Sequence, residues 1–589
     1  MMDLPKGSHR VALFYFPKAV CGSALALAAG LALAQPAPEA GTGYLHKHAT
    51  SAKHFMLAAA NPLAVDAGYR VLRRGGTAID AAVAVQMVLN LVEPQSSGIG
   101  GGAFILHYSA RAQKLVAYDG RETAPAAARA ERFIGAEGQP LSFLDAVVGG
   151  NSVGAPGVLR ALELAHAKYG KLPWAELFQP AIRLASTGFP LSPRLHSLLD
   201  LVRLPARDRA MRRMYYRDDD TPKPVGTLLR NPALADTLRK IAARGANAFY
   251  EGEIARDIAY TVRNAPNPGD LSVGDLAQYR AKQREPICGS YRQWKVCGMP
   301  PPSSGGITVL QVLGILQRLA PDSLPSDAIR AAHLIAEAER LAYADRERYL
   351  ADTDFVTVPL TGLMAPDYLA ARAALVRPDH SLGHALAGTP PGAPLAEFAD
   401  NASPELPSTS HLSIVDAAGN AVAMTSSIEF AFGSQQMVRG FLLNNQLTDF
   451  SFVAQHEGKL VANRVEAGKR PRSTMAPTMV FNRDGTLLLV LGSAGGSAII
   501  LHVVKALVAV LDWHMELQQA IDLPNFGSRN GPTELERNTA AASWAEPLHA
   551  LGHEVRLIDM TSGVHAIERT RAGWSGGADP RRAGVAKGD

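Results

Sequence analysis

A mixed α/β fold is predicted for this chain by three observations. Helical periodicity dominates residues 155–375, strand alternation takes over from residue 409, and a stretch dense in Pro, Ala and Gly joins the two regimes at 377–408. With 589 residues, the chain can form two ordinary domains or one large layered unit with a deep core. A hydrophobic content of 47% against 19% charged residues excludes general disorder.

Residues 1–34 read as an export signal. Lys6, Arg10 and Lys18 precede an apolar run at 19–33, and Ala32-Leu33-Ala34 forms a small-x-small cleavage site before Gln35. The run is shorter than the ~20 residues of a membrane-spanning helix, so no stable membrane insertion is expected once the signal is removed. Removal takes away three cations and Asp3 and lowers the formal charge from +5 to +3. That charge, without a long basic run, argues against a nucleic-acid partner.

After an Ala, Pro, Gly and His-rich start at 35–52, a helix is expected from Asn61-Pro62 to about Arg74, stopped by Gly75-Gly76. A second helix is expected at 78–91, then a loop at 95–102 and a strand at 103–108. The loop holds Gly98-Ile99-Gly100-Gly101-Gly102-Ala103, a literal match to the dinucleotide fingerprint. The fingerprint requires strand, turn and helix, whereas here the order is helix, loop and strand, so nucleotide binding is rejected. Good helical periodicity recurs at 159–168 and 331–349, and 377–408 reads as an exposed, flexible connection open to cleavage.

Cys288 and Cys297 flank a short hairpin pattern. If Arg292-Gln293 is the turn, the two cysteines face each other at a non-hydrogen-bonded position suited to a disulfide, which export would favour. Two buried free thiols are the alternative reading. Beyond 409, strands are expected at 409–416 and 421–427 around a turn at 417–420, then at 441–443, 478–481 and 487–491, with a long apolar helix at 497–513.

The segment Pro407-Ser408-Thr409-Ser410-His411-Leu412-Ser413 carries the chemistry. A break after Ser408 would leave Thr409 as a chain terminus whose α-amine lies beside its own hydroxyl. With an unperturbed pKa near ~7.7–8.0, that amine can activate the hydroxyl. His411 lies on the same strand face and reads as a packed histidine rather than a base. No His-Glu-x-x-His, paired-cysteine or P-loop pattern is present, so neither a metal nor another cofactor is expected.

Several separated motifs in the same order resemble the gamma-glutamyltranspeptidase (glutathione hydrolase) family over residues 60–582. They are Asp119-Gly120-Arg121-Glu122-Thr123-Ala124-Pro125, the Pro300-Pro301-Pro302-Ser303-Ser304-Gly305-Gly306 turn, the hairpin at Thr409 and Leu443-Asn444-Asn445-Gln446-Leu447-Thr448-Asp449-Phe450. Lys469-Arg470-Pro471-Arg472-Ser473-Thr474, Gly492-Ser493-Ala494-Gly495-Gly496-Ser497 and Gly577-Ala578-Asp579-Pro580-Arg581 complete the set.

The resemblance implies a four-layer αββα sandwich of the N-terminal-nucleophile hydrolases, with strand-rich 409–491 supplying central sheet. It implies autocleavage between Ser408 and Thr409 into a large subunit (35–408) and a small subunit (409–589) of one composite domain. Thr409 becomes the nucleophile, and the Gly495 and Gly496 amides form the oxyanion site. Arg121, Ser473 and Thr474 take the substrate α-carboxylate, while Asp449 and Gln446 take the α-ammonium. Ser427 and Glu429 lie in the return strand, Glu429 standing where the best-known members carry Asn, and Glu429 is expected to share the pocket of Asp449. Residues 451–468 do not match the family's lid loop.

The implied reaction passes the γ-glutamyl group of glutathione to water or an amino acid in the periplasm or outside the cell. A glutaryl or cephalosporin-type acylase of the same fold, and a degenerate non-catalytic binding protein, are the rival readings.

Overall fold

The computed structural model describes residues 43–202, 208–394, 398–401 and 408–589. The expected export signal and its cleavage site lie outside these residues.

Two seven-stranded antiparallel sheets form the centre. Their strands, in chain order, are β1 (Thr50–Ala52), β2 (Met56–Ala59), β3 (Gly102–Ser109), β4 (Lys114–Gly120), β5 (Lys282–Arg284), β6 (Ile287–Tyr291) and β7 (Trp294–Gly298). They continue as β8 (Ser410–Val415), β9 (Ala421–Ser427), β10 (Thr478–Phe481), β11 (Leu487–Gly492), β12 (His565–Thr570), β13 (Gly573–Ala578) and β14 (Val585–Gly588). One sheet runs β14-β2-β8-β9-β3-β4-β5 and the other β1-β13-β12-β11-β10-β7-β6. Central sheet therefore comes from the N-terminal, middle and C-terminal parts of the chain as well as from the expected 409–491.

Strand alternation sorts the layers. Leu57, Ile105, Leu412, Ile414, Val422 and Met424 face outward into a core shared with helices α1 (Pro62–Arg73), α2 (Ala78–Val92) and α3 (Val158–Tyr169). Met56, Phe104, Leu106, Ala421 and Ala423 face the second sheet. The far side of that sheet is covered by α4 (Gly305–Leu319), α5 (Ala328–Tyr349) and α6 (Ile499–Leu511). The result is the expected helix, sheet, sheet, helix order. Because both faces of β8 and β9 are covered, every residue of these strands is buried, polar ones included.

Local chemistry sets the helix boundaries. Asn61 caps α1 by accepting from the Leu63 amide, Pro62 occupies the first turn, and Gly75 leaves the helix with φ 78°. Thr77 and Asp80 form a reciprocal capping box at the start of α2. The 98–102 loop does lead into a strand. A Cβ on Gly100 would come within 2.0 Å of the Leu442 carbonyl, and one on Gly101 within 2.1 Å of the Ser427 carbonyl, so these glycines serve close backbone packing. The apolar helix expected from 497 opens with a 3₁₀ turn, Gly496–Ala498, before α6 begins.

Tyr291 pairs with Trp294 and Cys288 with Cys297 across the hairpin, and the cysteines form a disulfide. The segment expected to be exposed at 377–408 is tied down where it is described. Leu382 N–H donates to Glu337 (2.7 Å), Gly388 N–H donates to Asp345 (2.8 Å), and the Tyr349 hydroxyl donates to the Gly388 carbonyl (2.7 Å). Its prolines break periodicity without freeing the backbone, because buried acids of α5 receive its amides. Among the described residues no helix is long and apolar enough to cross a membrane.

Candidate active site

Thr409 stands immediately before β8 and is 3% exposed. The chain is continuous from Ser408 to Thr409, and one hydroxyl joins the two residues. Ser427, at the end of β9, donates from Oγ to the Ser408 carbonyl (2.7 Å). With its only hydrogen so used, Ser427 Oγ accepts from Thr409 Oγ1 (3.4 Å) and from the Glu429 amide (2.8 Å). The Arg582 guanidinium donates to the Thr409 carbonyl (3.0 Å) and holds the residue from its other side.

Arg121 follows β4 and is completely buried. Its Nε donates to the Pro471 carbonyl (3.1 Å), and its Nη2 donates to the Arg472 carbonyl (2.9 Å) and pairs with Asp449. Nη1 has no hydrogen-bond partner and lies 3.7 Å from Glu122 Oε2. The Pro471 and Arg472 carbonyls and Asp449 thus engage every side-chain nitrogen of Arg121 except Nη1. Gln446 donates to Asp449 (3.0 Å), which leaves Gln446 Oε1 without a partner.

Glu429 is 3% exposed, adopts φ 78°, and accepts from Asn445 Nδ2 (2.9 Å). A positive φ at a non-glycine residue is strained, and here the Ser427 and Asn445 contacts sustain it. Burial raises its carboxyl well above the usual range, and neighbouring Asp449 raises it further. Glu429 and Asp449 are therefore close neighbours. A third acid was not anticipated: burial pushes Glu122 up to about 8, against the lowering influence of Arg121, and neither of its oxygens has a hydrogen-bond partner.

Gly495 and Gly496 follow β11 with φ 134° and 55°, both in the region that favours glycine. Thr474 donates to the Gly496 carbonyl (2.9 Å), which ties this loop to the 473–474 pair. That bond uses the single hydrogen of the Thr474 hydroxyl, whereas the Ser473 hydroxyl accepts from the Met475 amide (3.2 Å) and keeps its own hydrogen. Ser303 and Ser304 donate to the Met475 and Ser473 carbonyls (2.6 and 2.7 Å), so the 300–306 turn buttresses the same segment.

Residues 451–468 form a small exposed hairpin, Gln455–His456 with Lys459–Leu460. Asn463 bridges from the Asp449 carbonyl (2.7 Å) to the Arg472 amide (2.9 Å), so this segment is anchored across the pocket wall. His411 is packed, as expected. Its nitrogens engage the Thr425 and Ser413 hydroxyls (2.8 and 3.1 Å), and burial holds it well below its ordinary pKa, neutral. Asn445 and Arg582 were missed. Asn445 belongs to the 443–450 motif, but nothing local marks Arg582, whose contact with Thr409 joins residues 173 positions apart.

A family model described as Gamma-glutamyltranspeptidase matches residues 64–589. The glutathione hydrolase proenzyme of Bacillus subtilis (strain 168) is 34% identical over 92% of this chain and 93% of its own length. That of Escherichia coli (strain K12) is 35% identical over 98% of each. The crystal structure of cephalosporin acylase from Bacillus halodurans superposes with a TM-score of 0.81 at 27% identity, covering 92% of this chain and 97% of that one.

Two facing sheets, each backed by helices, with Thr409 immediately before a central strand, and the fold shared with these relatives define the N-terminal-nucleophile hydrolase class. Within that class, the chain belongs to the gamma-glutamyltranspeptidase family, a family of enzymes.

Proposed function

We propose that the chain is an exported precursor which cuts itself between Ser408 and Thr409 and then hydrolyses or transfers the γ-glutamyl group of glutathione and related amides. The observation that carries this reading is the Ser427 hydroxyl, bonded at once to the Thr409 hydroxyl and to the carbonyl that precedes it.

In self-cleavage, Thr409 Oγ1 attacks the Ser408 carbonyl carbon. Its proton passes to Ser427, which gives its own to the carbonyl oxygen. Collapse of this adduct breaks the C–N bond, with a proton going to nitrogen, and leaves an ester on Thr409 Oγ1. Water then cleaves the ester, releasing the Ser408 carboxylate and a free Thr409 α-amine.

In turnover the γ-carbonyl takes the place of the Ser408 carbonyl. The α-amine accepts the Thr409 hydroxyl proton and passes it to the leaving amine, while the Gly495 and Gly496 amides serve the oxyanion. Water or an amino acid then takes the glutamyl group from the ester.

Arg121 and Asp449 form an ion pair, and a zwitterion is the ligand that satisfies both when it enters between them. Its carboxylate adds to Arg121 Nη1 and the Ser473 hydroxyl, and its ammonium meets Asp449, Gln446 Oε1 and Glu429. A glutaryl group brings a carboxylate for Arg121 but no ammonium for Asp449, so it would separate that ion pair and leave Asp449 without a cationic partner. The acylase reading rests on the fold shared with the B. halodurans enzyme and on the Acylase ACY 1 proenzyme of Pseudomonas sp. (strain SE83), which is 35% identical over 90% of this chain and 93% of its own length.

Export to the periplasm or beyond is supported by the 1–34 pattern and by the Cys288–Cys297 disulfide, which suits an oxidising compartment. The deciding experiment compares γ-glutamyl and glutaryl anilides and measures glutamate and cysteinylglycine from glutathione. Faster glutaryl cleavage by the wild type would reverse the choice of substrate class.

A further inference from the structure

Three consecutive residues, Gln95, Ser96 and Ser97, touch the chain on both sides of Thr409. On the upstream side, the Ser408 hydroxyl donates to the Gln95 carbonyl (2.6 Å), and its Oγ lies 3.3 Å from Ser96 Oγ. Each hydroxyl has one hydrogen, so the arrangement that uses both has Ser96 donating to Ser408. On the downstream side, Ser97 Oγ donates to Ser410 Oγ (3.1 Å). All five of these side chains are buried, with Gln95, Ser96, Ser97, Ser408 and Ser410 each at most 1% exposed.

The loop holding them is itself fixed. The Ile428 amide donates to the Ser96 carbonyl (3.2 Å) and the Phe432 amide to the Gln95 carbonyl (3.1 Å). Gly100 and Gly101 then pack closely against the Leu442 and Ser427 carbonyls.

We infer that residues 95–97 are a bracket that positions the 408–409 peptide bond for self-cleavage. This rests on the proposed cut at that bond. Downstream of the bond, the pairing of β8 with β9 and the Arg582 contact already hold the chain. Upstream, the Ser408 hydroxyl is the anchor that stops the carbonyl from turning away from Ser427 and from Thr409 Oγ1. An intramolecular attack depends steeply on such alignment, because a small rotation of the carbonyl moves the carbon off the line of approach. Gln95, Ser96 and Ser97 act through Ser408 and Ser410 and are positioning residues. Once the bond is cut, their hold on Ser408 has no further part in turnover.

The test follows maturation of freshly purified full-length precursor on denaturing gels. Ser408→Ala is expected to cleave about tenfold more slowly than wild type, the scale set by losing one well-placed hydrogen bond. Ser408→Thr keeps the hydroxyl and is expected to stay within about threefold of wild type. Ser96→Ala is expected to slow cleavage by a smaller factor, and Ser96→Ala with Ser408→Ala to be no slower than Ser408→Ala alone, because the Ser96 contact is already lost when Ser408 lacks its hydroxyl. Melting temperatures measured in the uncut Thr409→Ala background are expected to coincide.

Wild-type rates for Ser408→Ala, independent multiplication of the two effects, failure of Ser408→Thr to restore the rate, or a slow variant explained by a large fall in melting temperature would each overturn the inference. A wild type that does not cut at 408–409 at all would instead remove the functional reading beneath it.

Discussion

At the scale of single residues, the proposed self-cleavage depends on the Thr409 and Ser427 hydroxyls, which are hydrogen-bonded to each other. Thr409→Ala is expected to give one uncut chain without amidase activity on a denaturing gel and in a glutathione assay, since it removes the attacking oxygen. Arg121→Lys keeps the charge but loses the planar donor set that now grips two carbonyls and Asp449. A loss of about 2–3 kcal/mol in kcat/KM for γ-glutamyl substrates is expected. Glu429→Ala should raise KM for those substrates while the precursor still matures, because Glu429 touches Ser427 through its backbone amide and the pocket through its side chain. Most of these side chains were legible in the sequence because they sit in short motifs with demanding chemistry. What could not be read was their pairing: that Arg121 meets Asp449, that Thr474 spends its hydrogen on Gly496, and that Arg582 reaches Thr409 are consequences of tertiary approach.

Among the elements, the β8–β9 hairpin and helices α1 and α2 were readable because turn and cap residues bracket clean periodicity. Strand β13 was not, since Gly-Trp-Ser-Gly-Gly-Ala has poor intrinsic strand preference. Its glycines are explained by packing: a Cβ on Gly576 would meet Met56 at 2.7 Å, and one on Gly577 would meet Ile521 at 2.6 Å. The β6–β7 hairpin was legible through its cysteines. Non-reduced digests are expected to show the Cys288 and Cys297 peptides linked, and their Ser variants should lose only modest stability because the closed loop is short. Two thiols open to alkylation in unreduced protein would refute the pairing.

Across the whole molecule, buried acids tie stability to pH. The folded chain raises Glu122 to about 8, so between its ordinary value of about 4.5 and 8 the unfolded chain has released a proton that the native state retains. Stability from this group is therefore fully present below that window and falls as pH rises through it. Glu122→Gln, which cannot ionise, is expected to flatten the decline of the urea midpoint between pH 5 and 8; an unchanged slope would show that Glu122 does not hold its proton in the native state. The two-sheet architecture was legible as a class, yet the interleaving of strands from both ends of the chain was not, because strand order depends on long-range pairing.

The central claim is that Thr409, freed by self-cleavage, carries the glutamyl group. Intact-mass spectrometry of purified protein, before and after rapid acid quenching with glutathione, tests it most directly. The account predicts a fragment beginning at Thr409 that gains the mass of one glutamyl group, on the Thr409 residue, after glutathione is added. A single uncut chain, or a glutamyl adduct on any other residue, would contradict it.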